Sequence, residues 1–361
     1  LKKIFIALLL TVKLLSYSTQ IDYGLSDSHG YLLKSGKLEF KLGYLRVNDQ
    51  LDIFNLKDDE LSNLSSDLRA TIGNMSGLES SIRYGVNRKI SLFLNYDYLA
   101  IDYFKDKLKD NRLDLFLRYN ISTKTFATFN AISFDIGYRV SKADDIAVKD
   151  DFVLNYFLAR LYPNSSFHFE DGSVATSSTK LTLYDKRGNK IYPAVEIRDL
   201  ESLSPYIRLN TEIKISSYSL LNLYGSLSKN YISSEIGFYP ENNDFLKDIY
   251  IDIPSLDREE LTLESGFNYI YNYEDMLFEF GYEYSRVYRE EPLKREYGSH
   301  SIDMSIVALL TREISLYMGG EILFQQFNSR IPYMYNRYTE SQFDKKYGFA
   351  KFGIIYRLRG F

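Results

Sequence analysis

LDLFLRYNI, Leu113–Ile121, sets an apolar or aromatic residue at every odd position and Asp114, Arg118 and Asn120 on the other parity. A period of two belongs to a β-strand, whose side chains alternate between faces. The pattern recurs along the chain. Ile90, Leu92, Leu94, Tyr96 and Tyr98 alternate with Ser91, Asn95 and Asp97; Ile132, Phe134, Ile136 and Tyr138 alternate with Ser133, Asp135, Gly137 and Arg139. Met276, Phe278, Phe280, Tyr282 and Tyr284 alternate with Glu279, Gly281, Glu283 and Ser285, and Ile302, Met304, Ile306, Ala308 and Leu310 with Asp303 and Ser305. One face is thus apolar, while the other carries full charges in mid-strand. The runs extend to about 11–15 residues, against five or six for the usual soluble strand and roughly 9–11 for a tilted strand crossing a bilayer.

The connections favour a membrane barrel over a soluble sandwich. Short links such as "VNRK", "STKT", "SSYS", "NYED" and "TRE" alternate with long polar ones such as "IDYFKDKLKDN", "YPENNDFLKDIYIDIPSLDREE", "REEPLKREYGS" and "NSRIPYMYNRYTESQFDKK". Tight turns at one end and long loops at the other are the habit of transmembrane β-barrels. The spacing predicts twelve strands: 37–47, 76–86, 89–101, 111–121, 126–140, 205–215, 218–232, 259–271, 275–288, 299–310, 313–327 and 346–360. The stretch 141–204 interrupts them. Val148, Phe152, Val153, Tyr156, Phe157 and Leu161 form a helical stripe, with Asp150 and Asp151 in its first turn and Pro163 after its end, which predicts a helix at 150–161. "KLTLYDKRGNKIYPAVEI" then reads as a hairpin, so 141–204 is a helix-plus-hairpin insertion, an outer loop or a lumen plug. If 151–161 and 166–185 are strands instead, the count is fourteen. The fold class is all-β, an antiparallel up-and-down transmembrane barrel.

Composition agrees. The 361 residues include 33 Tyr and 24 Phe but no Trp, and aromatic residues suit strands and membrane interfaces. Net charge is −4, so bulk attraction to nucleic acid is not implied. No run approaches the roughly 20 apolar residues of a spanning helix. The opening "LKKIFIALLLTVKLLSYSTQ" has a lysine start, an apolar run and small residues at Ser16 and Ser18, the anatomy of a cleavable signal peptide over 1–18. A mature tail over 19–36 and a barrel over 37–361 follow. Cysteine is absent, so no disulfide staples the exported chain.

The signal segment, the strand pattern and the ending "FAKFGIIYRLRGF" resemble the class of Gram-negative outer-membrane β-barrels that close on an amphipathic strand with a terminal Phe. The resemblance implies an outer-membrane location and a tail, through Tyr356, Leu358 and Phe361, read by the barrel-assembly machinery. Phe361 is one residue out of phase with Phe352, Ile354, Tyr356 and Leu358, an irregularity that a bulge at Gly360 absorbs.

The polar faces supply candidate lumen residues: Glu79, Arg83, Asp97, Asp114, Arg118, Asp135, Arg139, Glu212, Glu264, Glu279, Glu283, Asp303 and Glu321, with Lys41, Arg208, Lys214, Lys351 and Arg357 among the further cations. They fit either a ladder of ion pairs filling a narrow lumen or a path for small polar solutes between acidic and basic walls. Glu264, Glu279 and Glu283 make one acidic sector. A rim hydrolase centred on His300, in "YGSHSIDMS", is a third reading; a base needs a nucleophile in reach and an orienting partner. No clustered His/Cys set predicts a metal, no phosphate-binding glycine loop occurs, and no cofactor or catalytic residue is assigned. The expected partners are membrane lipid, lipopolysaccharide met by loop cations, the assembly machinery and small polar solutes. The expected function is a channel or transporter, with a closed barrel that displays its loops as the alternative.

Overall fold

The computed structural model describes residues 33–48, 72–103, 106–121, 129–148, 166–168, 174–176, 183–184, 190–191, 194–239, 256–289, 298–324, 331–334 and 346–358. Twelve long strands dominate: β1 (Leu38–Asn48), β2 (Ile72–Gly85), β3 (Ile90–Tyr103), β4 (Asp106–Asn120), β5 (Phe129–Ala143), β6 (Ala194–Lys214), β7 (Ser219–Tyr239), β8 (Arg258–Tyr273), β9 (Met276–Arg289), β10 (Gly298–Leu309), β11 (Ile314–Phe324) and β12 (Lys346–Leu358). Each pairs antiparallel with its neighbours in chain order. β12 pairs with β1, Leu38 opposite Leu358 and Asn48 opposite Gly348, so the sheet closes into a barrel.

Closure follows from the outer face. Leu42, Ile136, Met304 and Phe352 are 57–61% exposed and belong to a continuous apolar belt contributed by the strands. Water disfavours a patch of that extent, whereas lipid tails match it. In hydrocarbon an open sheet edge would leave backbone groups unbonded, and a closed barrel has no edge. Tyr84, Tyr119, Tyr218, Tyr271 and Tyr356 project outward near one end, and Tyr138, Tyr231 and Tyr288 toward the other, as interfacial girdles do.

The first of these ends carries the links 86–89, 121–128, 215–218, 274–275 and 310–313. Side chains set these turns. Asn87 Oδ1 accepts from the amides of Lys89 (2.8 Å) and Ile90 (2.9 Å), and Thr311 Oγ1 from those of Glu313 (3.2 Å) and Ile314 (3.0 Å), so each residue caps the turn it opens. The opposite, loop end carries the connections 49–71, 104–105, 144–193, 240–257, 290–297 and 325–345.

Three expectations change. "IDYFKDKLKDN" is not a long loop: β3 and β4 run through it and only 104–105 lies between them. Alternation explains this, because Leu99, Ile101 and Leu108 continue the inward apolar row despite the lysines and aspartates around them. β6 and β7 are 21 residues each, longer than predicted: 201–204 pair with the end of β5, and 194–200 and 233–239 extend this hairpin beyond β5 and β8. Fourteen strands do not form. Within 144–193 the described pieces are Ile146–Val148, which extends the sheet along β6, and two small hairpins, Ser166–His168 with Val174–Thr176 and Leu183–Tyr184 with Lys190–Ile191. The second hairpin lies within the predicted one. The helix at 150–161, the signal segment, Gly360 and Phe361 lie outside the described residues.

An arginine on the lipid face at mid-strand should cost about 2–4 kcal/mol, falling toward the interfaces. Met304→Arg should show this loss in urea titrations of the barrel in lipid vesicles, while the inward Ser81→Arg should not show the same depth-dependent penalty; equal losses would refute the assignment of faces.

Candidate functional site

The inward faces build three tiers. The tier at the turn end is solid. Arg118 grips Asp135 with Nε and Nη2 at 2.7 and 2.8 Å, and Asn210 Nδ2 donates to the same carboxylate at 3.0 Å. The Arg118 guanidinium rests 4.8 Å from the centroid of Phe93, which stacks on Phe116 at 4.4 Å. Glu39 joins Arg83 (3.1 Å) to Arg357 (2.8 Å) across β1, β2 and β12. Ile270, Leu277, Val307, Tyr317 and Ile355 fill the other side. Glu212 is likewise buried, opposite Ala131 and Asn222.

The middle tier is a polar cavity of about 330 Å³. Of the predicted lumen residues, Glu79, Arg83, Asp97, Asp114, Arg139, Glu264, Glu279, Glu283, Asp303 and Glu321 line it; Arg118, Asp135 and Glu212 do not. Arg112, Lys41, Arg208 and Lys351 line it as well. The signs are segregated. Glu264, Glu279, Glu283, Asp303 and Glu321 stand on β8–β11, and Arg112, Arg139 and Arg208 on β4–β6. Arg139 bridges the two sectors, with Asp114 at 3.2 Å and Glu264 at 3.7 Å. Lys351 stands in the field of Glu79, Glu321, Asp303 and Glu279. Between the charges the wall is rich in hydroxyls and amides, among them Ser81, Asn95, Ser202, Ser228, Asn230 and Thr262.

Three tyrosines divide this tier from the one below, each laid over a glycine. Tyr224 on β7 sits opposite Gly266 on β8, and Gly266 opposite Glu283 on β9; the phenol crosses the glycine and donates to Glu283 Oε2 at 2.7 Å. Tyr317 crosses Gly353 and Gly43 in one register row to reach Glu79. Tyr206 lies over Gly137 and donates to Asp114 at 2.9 Å. A Cβ on Gly266 would stand 2.6 Å from the Tyr224 hydroxyl, and one on Gly137 2.8 Å from Tyr206 Cζ, so these positions must be bare.

The loop-end tier is an apolar collar that includes Val47, Met75, Ile101, Leu108, Leu200 and Phe349. Into it folds a segment of the β11–β12 connection. Ile331 and Tyr333 are fully buried. Tyr333 donates to Asp110 on β4 at 2.6 Å, and Arg258 on β8 donates to the Pro332 carbonyl at 2.6 Å, so 331–334 spans the mouth from wall to wall. Among the described residues it is 331–334 that narrows the lumen; most of 141–204 lies outside them. An apolar "IPYMY" inside a polar loop was the available signal. Arg112 was also legible, since it shares parity with Asp114 and Arg118.

His300 turns away from the lumen. Its Nδ1 lies 2.8 Å from the Tyr282 hydroxyl on the outer face, with the Tyr284 ring at 5.1 Å. Ser299, Ser301 and Asp303 face inward, on the other side of β10.

No family model matches the chain and no curated protein matches it. Among solved structures it is similar to the translocator domain of autotransporter NalP from Neisseria meningitidis, at TM-score 0.47 and 8% identity over 90% of each chain. It is also similar to the TodX monoaromatic hydrocarbon channel, as a ΔS2 mutant, at 0.43 and 8% over 92% of each, and to the NanC porin at 0.41 and 8% over 89% of this chain and 100% of that one. At these scores the functions of those proteins do not transfer to this chain.

Gly266→Ala should lower stability by about 1–3 kcal/mol by displacing Tyr224. Gly225→Ala, where a Cβ would have its nearest neighbour at 3.9 Å, should change it by less than about 0.5 kcal/mol. Thermal unfolding in detergent compares them, and equal shifts would remove the packing argument. Asp135→Ala strands a buried guanidinium and should cost about 3–5 kcal/mol, whereas the double change Arg118→Met with Asp135→Leu should recover most of that loss.

Proposed function

We propose that this barrel is an outer-membrane channel for small polar solutes, its turn end facing the periplasm and its loop end facing outward. The carrying observation is the charged, hydroxyl-rich cavity inside the wall, capped by four residues of a surface loop. A barrel that served only as a scaffold could fill that volume with close-packed side chains, as the turn-end tier does. Solute would pass along Glu79, Arg83, Asp97, Asp114, Arg139, Glu264, Glu279, Glu283, Asp303 and Glu321.

The cap is held by a small balance of forces. Two charge-assisted hydrogen bonds contribute about 1.5–3 kcal/mol each, against about 1–2 kcal/mol for ordering each of four residues. Burial of Ile331 and Tyr333 tips the balance toward the seated state, and a modest differential interaction can unseat it. Lipid surrounds the apolar belt, loop cations meet lipopolysaccharide phosphates, and Tyr356, Leu358 and Phe361 serve as the assembly signal.

A second reading, a closed barrel displaying its loops, is favoured by the solid turn-end tier around Arg118, Asp135, Leu277 and Val307, all fully buried. The rim-hydrolase reading is disfavoured, because His300 faces outward and Ser299, Ser301 and Asp303 face inward.

Planar-bilayer recordings separate these. The intact barrel should show small, infrequent openings, and Tyr333→Ala or deletion of 331–334 should raise the open fraction several-fold. Silence in all three proteins, each folded by heat-modifiable gel mobility, would leave the closed barrel.

A further inference from the structure

Among the described residues, Arg208 is the cavity arginine with no carboxylate within ion-pairing distance. Lys41, Arg83, Arg112 and Arg139 each have a carboxylate within ion-pairing distance, at 3.1, 3.1, 3.9 and 3.2 Å. Arg208 has none among the described residues, although it is more than nine-tenths buried. Its in-register neighbours are Asp135 on β5 and Ser226 on β7. Asp135 is gripped by both Arg118 donors and by Asn210. Ser226 donates instead to Glu264, at 2.7 Å. The Arg208 guanidinium is left between two aromatic faces, 5.5 Å from the Tyr206 centroid and 5.8 Å from that of Tyr224, with no partner for Nε.

The two tyrosines cannot swing away cheaply, because each hydroxyl is committed to a carboxylate across a glycine. Arg208 is thus fixed in orientation with its hydrogen-bonding capacity unspent, and a buried charge in that condition calls for an anion. The surroundings restrict which anion. Eight carboxylates and six cations line the cavity, an excess of acid, and the carboxylates of β8–β11 stand beyond Tyr224. A simple anion drawn to Arg208 would meet that wall as a like charge. A simple cation would be drawn to the wall but would gain nothing at Arg208. A solute with both charges satisfies each side and adds no net charge.

We propose that the cavity is a binding site for small zwitterions of amino-acid or dipeptide size, the carboxylate on Arg208 and the ammonium toward Glu279, Glu283 and Asp303. This deepens the channel reading and rests on it for the claim of passage, although not for the claim of binding. The volume of about 330 Å³ lies at the small end of the range for ligand pockets, about 300–1,000 Å³, which limits the solute to that size.

The test uses the full chain in detergent and four probes: alanyl-alanine, its N-acetyl form, its C-terminal amide and glucose. Calorimetry at neutral pH should rank alanyl-alanine above both capped forms, with glucose weakest. Arg208→Gln should weaken alanyl-alanine and the N-acetyl form by about tenfold to a hundredfold and leave the amide unchanged, the loss appropriate to a charged hydrogen bond. Arg208→Lys should restore part of the affinity. Equal binding of the amide and the uncapped dipeptide by the wild-type barrel would overturn the assignment without recourse to any variant, as would the absence of heat with all four probes. Flux of the same probes into proteoliposomes keeps the two claims apart. Binding without flux would overturn the channel and leave the site; unselective flux without binding would overturn the site and leave the channel.

Discussion

The pairing of β1 with β12 is the constraint on which everything else rests. In hydrocarbon no water is available to bond a free strand edge, so one unmade seam would expose a full row of backbone groups. Along the seam, Leu38 to Asn48 meet Leu358 to Gly348 without a break in register. Glu39 then ties Arg83 and Arg357 together behind that backbone ladder. Once the seam is closed the alternation of the strands has fixed consequences. At mid-strand the apolar rows face lipid, and the polar rows are forced into a narrow lumen.

The interior is organised by how those polar groups find partners. At the turn end they find each other, and Arg118 with Asp135 is as deeply buried as any leucine. In the middle they are held apart, because Tyr206, Tyr224 and Tyr317 lie flat across glycines and take carboxylates from strands further round the wall. That arrangement keeps acids of β8–β11 from collapsing onto arginines of β4–β6, while Arg139 bridges the two sectors through Asp114 and Glu264. The mouth is then covered by chain rather than by wall, through Ile331, Pro332 and Tyr333.

The wall was legible in the sequence because the period of two is enforced on both sides at once, by lipid outside and by charge inside. All twelve strands follow from it, and ten of the thirteen proposed lumen residues line the cavity. What escaped depends on neighbours several strands away. Nothing in the local pattern says that Arg118 and Asp135 meet face to face, or that Tyr224 reaches Glu283 across Gly266, unless register is known. The start of β4 was misread where the charges of "IDYFKDKLKDN" were taken as a loop signal, and the start of β6 where 194–204 was assigned to the helix-plus-hairpin insertion. The inward fold of 331–334 has no periodicity to announce it.

The seam has a consequence for how the molecule comes into being. Arg357 and Glu39 lie 318 residues apart in sequence, so the contact that completes the barrel is among the last that a growing chain can make. Pairings of such long range are slow, since nearly the whole chain must be confined before they bring any reward. Throughout that interval β1 has a single neighbour, and its other edge is a template for any passing strand. The time spent waiting for the far end of the chain, rather than the stability of the finished wall, is therefore where this protein is most exposed to error.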